Sequence, residues 1–153
     1  STAQPPDGMA PDGLALLQDY YGAMQTHARD FLLLGRMRHP LIPDTPMVKK
    51  DLAPTKGRKH GNPQTISFPL IIQSAWDDGR GNVGLFAVNT GRQEASVQVP
   101  APGATAWRAT LYTGPTKDGS RDMAAGAHLE WRLPPGRLGT IVFQPTQSGA
   151  ATH

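Results

Sequence analysis

From Ile66 onward, apolar residues recur at every second position, and this period limits what the chain can fold into. Side chains of an extended strand alternate between two faces, whereas a helix repeats every 3.6 residues. Ala95, Val97 and Val99 alternate with Ser96 and Gln98. Leu129, Trp131 and Leu133 alternate with His128, Glu130 and Arg132 in the same way. Both segments read as half-buried strands. Residues 83–88 are apolar on both faces and belong in the middle of a sheet. With their neighbours, these patterns predict strands over residues 67–76, 82–89, 94–99, 106–112, 127–133 and 138–144.

Turn chemistry separates the strands. Asn89 and Gly91 suit a tight turn that needs positive φ, which would make a hairpin of residues 82–89 and 94–99. In Leu133-Pro-Pro-Gly-Arg137, Pro135 fits the second position of a type II turn and Gly136 the third. Residues 77–82 turn the chain, and the stretch GPTKDGS at 114–120 reads as a hairpin loop. Strands at this spacing predict a mainly β fold, an antiparallel β-sandwich over residues 65–145. With Gly 17 and Pro 15 in 153 residues, turns are frequent without low complexity.

The N-terminal part follows another period. Residues 1–13 form a disordered lead-in rich in Pro, Gly and Asp. Residues 14–39 read as one long α-helix, because Leu17, Tyr20, Tyr21, Met24, Ala28, Phe31, Leu32 and Gly35 recur at three- and four-residue intervals. Pro40 and Pro43 end it. Residues 40–64 form a connector with five prolines and the basic run Lys49, Lys50, Lys56, Arg58 and Lys59. Residues 146–153 make a frayed tail. Tyr20, Tyr21, Phe31 and Leu34 form an apolar face that a lone helix cannot bury. That face calls for a missing preceding domain or for self-association.

Several classes of chemistry are excluded or thin. Without cysteine there is no disulfide, thiolate metal site or cysteine nucleophile. His27, His39, His60, His128 and His153 show no metal-ligand spacing, so no metal and no cofactor are expected. The basic run contains no aromatic residue, which argues against nucleic acid. No apolar run is long enough to span a bilayer, so no membrane partner is expected, and no signal peptide is visible. The compartment stays open. Glu94 and Glu130 are the only glutamates. Asp77 and Asp78 are adjacent and read as turn formers, with calcium ligation as the alternative. Trp107 and Trp131 share parity with core positions, which leaves Trp76 as the candidate platform for a sugar ring.

The strands LIIQSAWDDGRGNVGLFAVNTGRQEASVQVP and LEWRLPPGRLGTIVFQP resemble the C-terminal all-β domain of a poorly characterised TIM-barrel glycoside-hydrolase-like family. The segment ARDFLLLGRMRHPL, with Phe31 to Pro40, is similar to the last barrel helix of that family and its exit into a proline-containing connector. The resemblance covers residues 20–145. It implies a C-terminal fragment whose parent is a glycoside hydrolase, and it carries no catalytic residue onto this chain. The expected function is then a non-catalytic accessory β-sandwich that stabilises or docks onto the catalytic barrel. An independent carbohydrate-binding module using Trp76, Asp77, Asp78 and Tyr112 is the alternative, with carbohydrate as its partner. A free-standing enzyme using Glu94 and Glu130 is the third reading.

Overall fold

The computed structural model describes residues 11–43, 45–52 and 64–146. Most of the expected lead-in, the tail from residue 147 and the basic residues Lys56, Arg58 and Lys59 lie outside the described residues. The chain runs through helices α1 (Pro11–Met24) and α2 (Arg29–Leu32) and then strands β1 (Arg36–Arg38), β2 (Met47–Leu52) and β3 (Gln64–Pro69). Strands β4 (Ile71–Asp77), β5 (Val83–Asn89), β6 (Ala95–Pro100), β7 (Trp107–Thr113), β8 (Thr116–Met123), β9 (His128–Leu133) and β10 (Leu138–Pro145) follow. The fold is mainly β, sandwich-like and antiparallel throughout its named strand pairs.

The main sheet has six strands in the order β1-β4-β5-β10-β7-β8, and β6 and β9 pair in a second sheet. Strands β2 and β3 form a separate ribbon. The central core lies between the two larger layers. Leu85, Ala87, Ile141, Phe143 and Ala109 from the main sheet meet Val99, Leu129, Trp131 and Leu133 from the second. The alternation read from the sequence is therefore the inward face of β6 and β9. Trp107 and Trp131 are both buried, as their parity predicted. Gly139 sits beneath β9, where an added Cβ would meet Leu133 and Trp131 side chains at 2.5 and 2.7 Å. The two sheets touch closely at this point.

The helices form a third layer on the opposite face of the main sheet, where Ala23, Ala28 and Phe31 pack with Phe86 and Leu138. The single helix expected over residues 14–39 is shorter than its apolar period suggested. It stops at Met24, resumes for one turn at Arg29–Leu32, and residues 36–38 become the edge strand β1. Pairing explains the change at its end: Arg36 to Arg38 find backbone partners in Asp77 to Ala75 and extend the sheet. Gly35 permits the switch, since a Cβ there would collide with the carbonyl oxygens of Asp77 and Phe31.

Three further expectations need correction. The expected connector 40–64 contains β2, which pairs with β3 from Met47↔Pro69 to Leu52↔Gln64. The single strand expected over 67–76 is two strands, β3 and β4, divided at Leu70. Residues 116–123, the first five of which read as part of a hairpin loop, form strand β8 on the edge of the main sheet.

Candidate functional site

The corner at the end of β4 begins with a hairpin. Asp77 faces Val83 across the β4–β5 pair, and the chain reverses through residues 78–82. Asp78 holds this turn together. Its Oδ1 accepts from the backbone N–H of Arg80 at 2.7 Å and of Asn82 at 3.1 Å, and its Oδ2 accepts from Asn82 Nδ2 at 2.7 Å. Burial alone would raise the Asp78 carboxyl, but these hydrogen bonds and the Arg80 charge carry it below the usual carboxylate range. Gly79 and Gly81, at φ 81° and 90°, supply the left-handed conformations of the turn.

Asp77 has a different partner. It accepts from Arg38 NH1 at 3.3 Å, and Arg38 NH2 also reaches the carbonyl oxygen of Pro102 at 3.2 Å. Open depressions flank this pair. One, of about 590 Å³, is lined by Met37, Arg38, His39 and Asp77; a smaller one of about 150 Å³ is lined by Leu34 to Arg36 and Asp77 to Gly79. Neither is lined by a tryptophan, tyrosine or phenylalanine. Trp76 is half-buried and packs against the helix-side cluster, and its indole N–H donates to Ser74 Oγ at 2.9 Å. The polar end of the indole is thus engaged within the chain.

Tyr112 belongs to another part of the molecule. It lies on β7, separated from β4 by β5 and β10, which places it about 14 Å across the sheet from the Trp76 strand. Its ring stacks on His27, with centroids 3.8 Å apart and planes inclined by 17°. Trp76, Asp77 and Asp78 are therefore neighbours, but Tyr112 does not join them. Glu94 and Glu130 are both exposed, and Glu130 faces Gln98 of β6, four positions along the chain from Glu94, which just precedes β6. Four strand residues span about 13 Å, more than paired hydrolytic carboxylates use. Among the described residues no group of three or more His, Asp or Glu is arranged to hold a metal ion. No described helix is long and apolar enough to cross a membrane.

The turn residues named from the sequence do more than turn the chain. Strand β6 pairs with β9, not β5, so the segment Asn89–Gly91 is a crossover between sheets and not the expected hairpin. Asn89 is fully buried. Its Nδ2 donates to the carbonyls of Gln93 at 2.7 Å and Leu133 at 2.9 Å, and its Oδ1 accepts from Gly91 N at 2.8 Å. Gly91 is not among the positive-φ glycines; it is small because an added Cβ would meet Leu70 Cδ1 at 2.8 Å. Gly136 does adopt φ 69°, beside the bridge between Pro135 and Asn89.

On the helical layer, Tyr20, Tyr21 and Leu34 are exposed, Tyr21 by 58% and Leu34 by 67%. Phe31 is not part of this surface. It is only 3% exposed and wedges over Gly84, where a Cβ would meet its ring at 2.8 Å. The buried side of α1 carries Leu16, Asp19 and Ala23. Sequence reasoning passed over Asp19 and Arg137. Asp19 Oδ2 accepts from Arg137 Nε at 2.6 Å and from Leu138 N at 3.0 Å, and Oδ1 accepts from Arg137 NH2 at 2.8 Å. An acidic residue at an inward helix position was the available signal.

No protein-family model matches the chain, and no curated protein matches it. Solved structures do show similarity. A glycoside hydrolase family 30 subfamily 8 xylanase from Clostridium acetobutylicum is 20% identical, with TM-score 0.44, over 49% of this chain and 20% of its own. A structure described as an arabinofuranosidase is 16% identical, with TM-score 0.45, over 66% of this chain and 24% of its own. A glycoside hydrolase family 44 xyloglucanase from Paenibacillus polymyxa is 10% identical, with TM-score 0.38, over 55% and 19%. The chain thus spans about a quarter or less of the length of these glycoside hydrolases.

Proposed function

We propose that this chain is a non-catalytic β-sandwich accessory domain of a glycoside-hydrolase-like enzyme, stabilising or docking onto its catalytic barrel. The observation that carries the docking role is the outer side of the helical layer. Leu17, Tyr20, Tyr21, Leu33 and Leu34 are large, apolar and exposed, although the helices beneath them are anchored to the sheet through other residues. Exposed apolar residues concentrated on one layer fit a surface that another domain covers. Beside them, an apolar groove of about 400 Å³ lies between α1 and the sheet, lined by Gly13, Leu16, Leu17, Tyr20, Val88 and Leu138. The strand motifs resembling a glycoside-hydrolase accessory domain supply the enzyme class.

The test is the complete reading frame. The expected result is an upstream segment with the strand–helix alternation of a barrel, expressed with this chain as one protein. In that protein, paired substitutions Tyr21→Glu and Leu34→Glu should split a single thermal transition into two, read by calorimetry. A reading frame with only a start codon ahead of residue 1 sinks the proposal, and so does unchanged cooperativity in the double variant.

A further inference from the structure

Two ionisable groups lie at the seam between the helices and the main sheet. Among the described residues, the core between the two sheets is built of apolar side chains, and the buried polar residues are Asp19, Asn89, Thr110 and Thr140. Of these only Asp19 can titrate, and it lies between α1 and the main sheet. The second such group is His27, in the link between α1 and α2, half-buried against Tyr112 of β7. Both groups therefore sit where the helices meet the sheet.

Asp19 anchors the layer and His27 makes it sensitive to acid. Asp19 accepts three hydrogen bonds through its carboxylate, two from Arg137 and one from Leu138 N. The Thr26 hydroxyl lies 3.1 and 3.2 Å from the carbonyl oxygens of Gly22 and Ala23. The same hydroxyl lies 3.2 Å from His27 Nδ1, and His27 Nε2 is buried and without a partner. A charged imidazolium would therefore carry a buried N–H with no acceptor. The buried Thr140 hydroxyl on the adjacent strand also has no partner, so the two do not bond each other.

The surrounding charges offer no compensation. The Arg137 guanidinium is committed to Asp19 and lies within the field of Asp118 on β8. Arg29 and Asp30 of α2 are exposed. Under the helices, β10 contributes Leu138, Thr140 and Val142, and β5 contributes Phe86 and Val88. None of these can titrate.

We propose that the α1–α2 layer is an acid-labile cover, which protonation at His27 releases from the six-stranded sheet while the two packed sheets remain folded. Release uncovers Phe86, Val142 and Trp76, now packed beneath the helices. Burial lowers His27 to about 4 from its ordinary value of 6.5. The stabilisation it contributes is therefore complete above 6.5, declines as pH falls below that value, and is lost by about 4.

The experiment is amide hydrogen exchange on the full chain from about pH 7 to about pH 4, expressed as protection factors corrected for intrinsic exchange. The expected result is a loss of about tenfold or more in protection over residues 14–31, while β5, β7 and β10 keep theirs. His27→Phe keeps a ring on Tyr112 without a titrating nitrogen, and should move the loss to lower pH. Simultaneous loss in helices and strands overturns the proposal, as does an unchanged profile in His27→Phe. A nuclear magnetic resonance titration of His27 in the unsubstituted chain gives an independent check. A midpoint near 4 with concerted movement of the α1 amides supports the proposal. A midpoint at the ordinary value, with those amides still, overturns it.

Discussion

Asn89 shows how one side chain can join two sheets that share no strand pairing. It ends β5 in the main sheet, and its amide reaches Leu133 at the end of β9 in the second sheet. The same amide ties down Gln93 and Gly91 in the crossover. Alanine at this position would leave two carbonyls and one N–H without their partner in a site that excludes water. Asn89→Ala should cost about 3 kcal/mol, measured as a lower urea midpoint with an unchanged m-value. Asp78 acts on a smaller scale. Its hydrogen bonds favour the ionised form, so its contribution is present above the ordinary carboxylate range and is lost as pH falls through the depressed value. Asp78→Asn should abolish that component. Stability of the two proteins, compared by urea unfolding from about pH 5 to about pH 2, should converge toward the acid end.

The helical layer depends on a pair of residues 118 positions apart. Asp19 is 4% exposed and Arg137 lies at the surface end of the pair, with Gly22 pressed to Pro115 and Gly114 to Asp19. Asp19→Ala strands the Leu138 N–H and the guanidinium, and should cost about 3 kcal/mol. Asp19→Ala with Arg137→Met should recover part of that loss, read from the coupling in a double-mutant cycle. The sequence made the central strands readable because β5, β6, β9 and β10 each bury at least one face, and burial writes the period. Strand β8 reads Thr-Lys-Asp-Gly-Ser-Arg-Asp-Met and buries only Met123, so its backbone pairs with β7 without any apolar pattern. Strand β1 was hidden because Arg36-Met37-Arg38 follows a helix and joins β4 through its backbone and the Arg38–Asp77 pair, without any apolar pattern. The corner Trp76-Asp77-Asp78 was legible as a turn from its aspartates and glycines. Its separation from Tyr112 was not, because strand order between β4 and β7 is a property of the assembled sheet. Helix periodicity also showed where α1 lies but not which side it buries: the small residues face the sheet, and the tyrosines face out.

At the scale of the whole molecule, the three layers are unequally finished. The second sheet presents Ser96, Gln98, Glu130 and Arg132 outward, a polar face suited to water. The helical layer instead leaves Leu17, Tyr20, Tyr21, Leu33 and Leu34 exposed on the opposite side of the molecule. The contacts that hold the helices down use other residues, among them Leu16, Asp19, Ala23, His27, Ala28 and Phe31. Folding of this chain thus does not depend on the exposed group, and stability and association can be separated by mutation. Tyr21→Glu with Leu34→Glu should change the melting temperature of the isolated chain by less than about 4 °C, as exposed substitutions contribute within about 0.5 kcal/mol. If the isolated chain associates through this layer, its mass by light scattering rises with concentration, and the double variant should return it to 16.4 kDa apart from the two substitutions. Glutamates at Gln98 and Ser96 serve as the matched control, since they add the same charge to the polar face and should leave association unchanged. A double variant that still associates like the unsubstituted chain would move the contact to another surface, and the exposed Met47 and Ile66 of the β2–β3 ribbon would be the next residues to substitute.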